Sequence, residues 1–181
     1  MSEIEDLLSQ YQRYVRLPWD HKIAGAQKVW FARYDPGQER RLRLRIGEFQ
    51  TATTNAGHIW HLVDITDSFA EWMTNHEYKE AYFEQPEDLD LALIDFSDFV
   101  AERVRQELRQ PAVNENSIVA LLGLASLFGL TRVAELVTKV DSEIPGRLLA
   151  FFPGQRDGSN WRLLNARDGW NYHAVPIEGG D

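Results

Sequence analysis

Apolar residues recur at every third or fourth position in several stretches of this chain, which is the spacing of an amphipathic helix. The first stretch begins at Ser2, whose spacing from Glu5 is that of a capping box. Pro18 ends this stretch because proline cannot continue the helical hydrogen-bond ladder. The same apolar spacing predicts helices at about residues 38–54, 86–109 and 130–140, and a short helix that Thr66 or Asp67 can cap.

Stretches rich in β-branched and aromatic residues separate these helices and are typical of strands. They cover residues 28–34, 58–65, 117–122, 147–152, 161–164 and 172–177. We expect Pro153 and Gly154 to end the fourth strand, and residues 155–160 to form a polar surface turn. Because strands alternate with helices, the sequence predicts an α/β fold with a mainly parallel sheet and helices on both faces.

The length of 181 residues is that of one ordinary domain, and no repeat or linker divides the chain. We predict a single α/β domain over residues 1–177 and a flexible C-terminal tail over residues 178–181. The sequence has no cysteine, which excludes disulfides and thiolate metal sites. It also has no run of eighteen apolar residues, and its acidic start lacks the pattern of a secretory signal. These features predict a cytoplasmic protein without a membrane span.

The net charge of −9 is unevenly distributed along the chain. Residues 57–116 carry most of the negative charge, while the segments before and after them are close to neutral. Direct nucleic-acid binding is disfavoured, because phosphate contacts need clustered lysine and arginine. The acidic segment is either a solvated face or a surface that steers a basic protein partner.

The loop from Gly123 to Gly129 joins a predicted strand to a predicted helix and superficially resembles a phosphate-binding loop. Such a loop has the pattern Gly-x-x-x-x-Gly-Lys-Ser/Thr. In this chain the two glycines are one residue too far apart, and Leu130 stands where the lysine belongs. Bulky Leu127 and Phe128 would also crowd a backbone cradle. The sequence therefore predicts a P-loop-like topology without a phosphate-binding loop, and leaves open weak anion binding at the backbone amides.

No combination of residues in the sequence forms a complete active site. His58 and His61 point to opposite faces of a predicted strand, and His76-Glu77 lacks the second histidine of a helical zinc motif. Asp64 is the best-placed carboxylate for magnesium, but carboxylates near a helix start are also expected for capping alone, and we favour capping. Ser126 lies outside any Gly-x-Ser-x-Gly elbow. We therefore predict no catalytic residue, no metal site and no cofactor.

Two groups of side chains remain that suit either a binding surface or an ordinary structural role. Arginines are clustered on the helix predicted at 38–54, where they either hold an anion or an acidic partner or form a solvated helix surface. These arginines are Arg40, Arg41, Arg43 and Arg45. Tryptophans in or beside predicted loops and short helices mark either a protein interface or the core. These tryptophans are Trp19, Trp72, Trp161 and Trp170.

Several stretches of the chain, in order, resemble the BrxB family of bacteriophage-exclusion (BREX) defence systems. The most specific are GRLLAFFPG at 146–154 and NWRLLNARDGWNY at 160–172. Shorter similar stretches lie at 17–19, 28–31, 47–49, 62–66, 76–83 and 129–133. The resemblance spans about residues 17–177, and none of its motifs is a catalytic signature.

The resemblance implies a bacterial antiviral-defence protein that works beside a DNA methyltransferase, a large ATPase and PglZ, a protein similar to alkaline-phosphatase-type metalloenzymes. We expect a non-catalytic subunit that binds other BREX proteins, with PglZ as the first choice of partner. The alternative is a degenerate nucleotide-binding protein or weak NTPase within the same complex. The candidate partner-binding residues are Arg132, Trp161, Arg167, Asp168, Trp170 and Tyr172.

Overall fold

A computed structural model describes residues 2–75 and 84–179 of the chain, and the predicted His76-Glu77 pair lies outside them. Within these residues, three helices precede the second strand and three follow it. The helices are α1 (Glu3–Val15), α2 (Glu39–Leu44), α3 (Ile46–Asn55), α4 (Ser68–Asn75), α5 (Leu89–Leu108) and α6 (Val133–Val140). In α6 the buried positions include Leu136, whereas Ala134, which the sequence predicted to face inward, is only partly buried.

Five strands form a parallel sheet in the order β2-β3-β4-β1-β7, and a β-hairpin extends it. The strands are β1 (Val29–Tyr34), β2 (Ile59–Asp64), β3 (Ser117–Leu122), β4 (Arg147–Asp157), β5 (Asn160–Leu163), β6 (Trp170–Asn171) and β7 (Val175–Ile177). Strand β5 pairs antiparallel with both β4 and β6. The predicted α/β fold with a mainly parallel sheet is confirmed.

Helices cover both faces of the sheet, as the sequence predicted. Alternate residues of a strand point to opposite faces, so Trp30 and Ala32 pack with α1 and α3, whereas Val29 and Phe31 face the other layer. That second layer contains α4, α5, α6 and the hairpin residue Trp161. All residues of β3 are buried, which fits a central parallel strand.

The first helix begins with the capping box that the sequence predicts. The Glu5 amide donates to Ser2 Oγ at 3.2 Å, and the Ser2 amide donates to Glu5 Oε2 at 3.2 Å. These two bonds satisfy amides that have no partner inside the helix. The helix then buries Ile4, Leu7 and Tyr11 against the sheet.

Replacing Ser2 with alanine should lower the free energy of unfolding by about 1 kcal/mol, because the first turn of α1 loses its side-chain acceptor. Urea denaturation of the purified protein measures this change. Ser9→Ala in the same helix is the matched control and should leave stability unchanged or slightly raised, since alanine favours helix interiors. Equal effects of the two substitutions would contradict the capping role.

The single helix predicted at 38–54 is in fact two helices, and the prediction is wrong at Arg45. The backbone of Arg45 leaves the helical conformation, with φ −111° and ψ 9°. Its guanidinium forms ion pairs with Glu48 of α3 and with Glu5 of α1. The residue at the junction of α2 and α3 therefore connects them to the amino-terminal helix. Tertiary contacts thus override a continuous helical pattern, while Leu42 and Phe49 still reach the core.

The strand at 147–152 does not end at Pro153-Gly154, because β4 continues to Asp157. Pro153 lies opposite Tyr34 at the end of β1, and its carbonyl accepts from the Leu164 amide at 2.9 Å. Beyond that point the strand exchanges a parallel partner for the antiparallel strand β5, so most of the predicted turn at 155–160 is strand.

The carboxyl-terminal residues also differ from the pattern expected of them. Of the strand predicted at 172–177, only Val175–Ile177 is strand, as β7, and the short strand β6 (Trp170–Asn171) lies just before the predicted range. Glu178, which begins the segment predicted to be a flexible tail, forms ion pairs with Arg33 and Arg156. Burial raises the pKa of Glu178, but the hydrogen bonds and charges of Arg156 and Arg33 outweigh it and hold that pKa below its ordinary value.

Candidate functional site

Open parallel sheets bind ligands where neighbouring strands send their connections in opposite directions. Here that point lies between β1 and β4, because β1 leads to β2 on one side and β4 leads to β7 on the other. The loops at the carboxyl ends of the strands are therefore the first places to look for a site.

The loop after β1 is surrounded by carboxylates. The Asp35 amide donates to Glu3 Oε1 at 2.8 Å, and the Gly37 amide donates to Asp35 Oδ1 at 2.8 Å. The hydroxyl of Tyr34 donates to Glu39. Burial raises the pKa of Tyr34, and the hydrogen bond to Glu39 raises it further. These amides already have acidic partners, and the negative charge around them opposes a phosphate ligand.

A second cluster occupies the ends of β2 and β3. Asp64 Oδ1 accepts from the Thr66 amide at 3.0 Å and from its hydroxyl at 2.5 Å. Arg43 donates to Asp64 Oδ2 at 3.0 Å and to Thr66 Oγ1 at 2.8 Å. Gly123 packs against this cluster with φ +96°, and a Cβ there would lie 2.5 Å from Thr66 Oγ1. Asp64 therefore has partners from the chain itself, but its amide partner Thr66 precedes α4, which begins at Ser68, so these bonds close a turn before the helix and do not cap it.

The electrostatics of Asp64 follow from these contacts. Burial raises its pKa, but the Thr66 hydroxyl and the Arg43 guanidinium outweigh this effect and hold the pKa below its ordinary value. Within residues 2–75 and 84–179, no group of three or more histidine or acidic side chains is arranged to hold a metal ion.

Replacing Asp64 with asparagine should lower the free energy of unfolding by about 1 kcal/mol at neutral pH, because it removes the negative charge that pairs with Arg43. The loss is small because the carboxylate is only partly shielded from water. The pKa is lowered in the folded state, so the stabilisation is complete above about pH 4 and is lost as the pH falls through the folded pKa. Urea denaturation at pH 7 and pH 3 tests this, with Asp67→Asn as the control. The Asp64→Asn deficit should shrink at pH 3, and a deficit equal at both values would contradict the ion pair.

The predicted histidine and serine candidates lie in separate structural environments. The ring of His58 stacks on Trp19 with centroids 3.6 Å apart, whereas His61 Nδ1 lies 3.9 Å from Glu107 Oε1. Ser126 donates its hydroxyl to the Gly123 carbonyl at 2.7 Å. Each of these side chains thus has a structural partner of its own.

Four of the six predicted partner-binding residues line one cavity of about 310 Å³, which we call the groove. The groove lies between the segment that joins β5 to β6 and the amino-terminal end of α6. It opens onto a wider cleft along α6 that shares part of its wall. The predicted residues in the groove are Arg132, Arg167, Asp168 and Trp170.

Charged and aromatic side chains are both exposed at the groove. Arg132 and Arg167 are exposed and form no ion pair within the part of the chain that the structure describes. By contrast, Arg43 and Arg45 of the predicted arginine cluster are both paired with carboxylates. Phe128, which the sequence treated only as an obstacle to phosphate, is 45% exposed at the rim.

Trp170 is half-buried and is held by aromatic rings beneath it. Its ring centroid lies 5.9 Å from that of Phe31 and 5.7 Å from that of Phe152, both in edge-on geometry. The groove therefore presents a fixed aromatic surface beside two free guanidinium groups, an arrangement suited to an acidic and apolar protein segment.

Trp161 and Tyr172, the other two predicted residues, are buried and do not line the groove. Trp161 packs against Phe31 and Phe152, the two rings that hold Trp170, and we call this packed layer the floor of the groove. Trp161 is 1% exposed, and its Nε1 donates to the Tyr172 carbonyl at 3.1 Å. The Tyr172 hydroxyl donates to Asp141 Oδ2 at 2.8 Å, and burial with this bond raises the pKa of Tyr172. Because both side chains are enclosed, they support the groove without being able to touch a partner directly.

Comparisons with protein-family models, curated proteins and solved structures find no match to this chain. Across residues 2–75 and 84–179, none of the helices combines the length and apolar character that crossing a membrane requires. A functional proposal therefore depends on the groove, on the chemistry of the strand ends and on the resemblance in sequence.

Proposed function

We propose that this protein is a non-catalytic, cytoplasmic subunit of a BREX antiphage system that binds another protein of the system, with PglZ as the first candidate. The observation that supports this most strongly is the groove, where two arginines that have no ion-pair partner in the described part of the chain lie beside half-buried Trp170 and exposed Phe128. The BREX assignment itself comes from the resemblance of the sequence to the BrxB family.

The composition of the groove matches what dominates binding energy at protein interfaces. Tryptophan and arginine are enriched among the residues whose loss weakens binding most. Such a residue contributes more to affinity when its side chain is already ordered before binding, because less conformational entropy is lost. Trp170 is held by Phe31 and Phe152, so little side-chain freedom is lost when a partner covers it. The guanidinium groups of Arg132 and Arg167 can each donate hydrogen bonds to a carboxylate of the partner.

The strand ends support binding over nucleotide chemistry. The loop after β1 is surrounded by carboxylates, and the ends of β2 and β3 are occupied by Asp64, Thr66 and Arg43. In the arginine cluster at residues 40–45, Arg43 and Arg45 are paired with carboxylates. Among residues 2–75 and 84–179, only Arg40 and Arg41 of this cluster lack a carboxylate partner, which is a small footprint for nucleic acid on a chain of net charge −9.

Co-purification from the native operon, with each component tagged in turn, tests the proposal. We expect this protein to elute in a stable complex with PglZ and to show no turnover of ATP or phosphate esters by itself. Empty pull-downs with PglZ, the ATPase and the methyltransferase would contradict the binding role. A saturable, magnesium-dependent rise in Tm with ATP would instead support the nucleotide-binding alternative.

A further inference from the structure

A second cavity, of about 200 Å³, lies at the amino end of β4, whereas the groove lies beyond its carboxyl end. Aromatic and aliphatic side chains form most of its wall, and a single arginine contributes a positive charge. The side chains that matter here are Tyr14, Leu17, Trp19, Trp30 and Arg147. We refer to it as the Arg147 cavity.

Arg147 is a buried cation without a carboxylate partner. The residue is 3% exposed, and it forms no ion pair within 4.0 Å in the described ranges 2–75 and 84–179. Its guanidinium donates to the Gly146 carbonyl at 2.9 Å and to the Asp20 carbonyl at 2.8 Å. A guanidinium has about five N–H donors, so these two bonds leave donors unused.

Electrostatics distinguish Arg147 from the paired arginines. Burial lowers the pKa of Arg147, whereas hydrogen bonds to carboxylates raise the pKa of Arg43 and Arg156. A buried charge that lacks an opposite charge is unfavourable unless something else supplies one. The Asp20 carboxylate also lines the cavity and its charge favours the cation, but it forms no ion pair with Arg147, and the effect of burial outweighs it. Neutral carbonyl oxygens satisfy only part of the hydrogen bonding of Arg147.

Trp19 contributes a second unused donor to the same cavity. Its Nε1 is buried and has no hydrogen-bond partner among residues 2–75 and 84–179. The ring is fixed by stacking on His58 and by an edge-on contact with Trp30, whose centroid is 5.7 Å away. The Arg147 Cζ atom lies 5.0 Å from the centroid of the Trp19 ring. A rigid aromatic wall thus lies next to the unpaired cation.

We infer that the Arg147 cavity binds a small monocarboxylate with a flat apolar body, whose carboxylate accepts from Arg147 and whose body packs on Trp19 and Trp30. Carboxylate geometry matches the guanidinium fork, which explains the unused donors. The Asp20 carboxylate in the cavity wall repels a doubly charged ligand such as phosphate more strongly than a singly charged carboxylate. A volume of about 200 Å³ is below that of sites for drug-sized molecules, so the ligand is small.

Titration of the purified full-length protein with phenylacetate tests this inference. Phenylacetamide, which has the same shape without the charge, is the matched probe, and inorganic phosphate reports binding of any anion. We expect phenylacetate to raise the Tm by about 3 °C at ten times its dissociation constant and to change the tryptophan fluorescence saturably. The amide and phosphate should change neither signal.

Two substitutions make the test specific to the cavity. Arg147→Met removes the cation at similar length, and Leu17→Trp reduces the volume at a position that is 54% exposed and therefore tolerant of change. Both should abolish the response to phenylacetate, whereas Arg13→Met, at an exposed arginine of α1, should retain it. Groove substitutions should also retain it, so failure here is separate from failure of the proposed protein-binding function.

Three results would overturn the inference. Equal responses to phenylacetate and phenylacetamide would show that the charge of Arg147 is not recognised. A response that persists in both Arg147→Met and Leu17→Trp would place binding elsewhere. No response of the natural sequence to phenylacetate, together with a loss of stability in Arg147→Met, would mean that Arg147 only holds the carbonyls of Gly146 and Asp20.

Discussion

Replacing Trp161 with alanine should lower the free energy of unfolding by about 3–5 kcal/mol, which is a large part of the stability of a domain of this size. The side chain is 1% exposed, and its ring lies 4.6 Å from that of Phe31 and 5.2 Å from that of Phe152. The substitution leaves a cavity beneath Trp170 and removes the donor to the Tyr172 carbonyl. Urea denaturation followed by circular dichroism measures the loss.

Trp161→Phe separates the two contributions to this effect. Phenylalanine retains much of the packing but removes the Nε1–H group, so we expect a smaller loss of about 1–3 kcal/mol. Partner binding should weaken in Trp161→Ala because the floor of the groove is lost. Unchanged stability of Trp161→Ala would mean that Trp161 is not part of the core and could contact a partner directly.

Replacing Gly154 with alanine should have the second large effect, a loss of at least about 3 kcal/mol. A Cβ at this position would lie 2.1 Å from the Arg162 carbonyl oxygen and 2.8 Å from Phe152 Cε1. The backbone oxygen cannot move away by a side-chain rotation, so β4 and β5 must separate where Gly154 pairs with Leu163. Thermal unfolding measures the loss. Separation of the hairpin should also expose the Trp161 side chain to water, which shifts the tryptophan emission maximum to longer wavelength.

Gly47→Ala is the matched control for that experiment. Gly47 is exposed in the first turn of α3, and no atom lies within 4 Å of a Cβ placed there. Alanine favours a helix, so the control should raise stability by about 0.5 kcal/mol. A Gly154→Ala protein as stable as Gly47→Ala would contradict the close approach of the two hairpin strands.

Local patterns were sufficient to predict most of the fold. The capping box at Ser2, the apolar run at 117–122 and the three-to-four spacing of the long helix α5 each match an observed element. The extension of β4 through Pro153 was not predictable, because it depends on pairing with β5. Proline and glycine usually mark a turn, and only tertiary pairing shows that this strand continues.

The candidate site was only partly predictable, because sequence does not reveal which side chains are enclosed. Trp161 and Trp170 lie in the same motif, yet one is buried and the other is half-exposed. Likewise, Arg43 and Arg132 are both arginines in or beside helices, but within residues 2–75 and 84–179 only Arg43 of the two has an ion-pair partner. Exposure and ion pairing depend on residues distant in the chain, such as Asp64 for Arg43.

The most direct measurement is the affinity of this protein for PglZ, determined by isothermal titration calorimetry with the natural sequence and two double substitutions. Arg132→Glu with Arg167→Glu reverses both charges in the groove, and Arg40→Glu with Arg41→Glu makes the same change on the exposed surface of α2. We expect the groove variant to bind at least about 100-fold more weakly with an unchanged Tm, and the α2 variant to bind as the natural sequence does. Equal affinities for the two variants would contradict the groove as the binding surface.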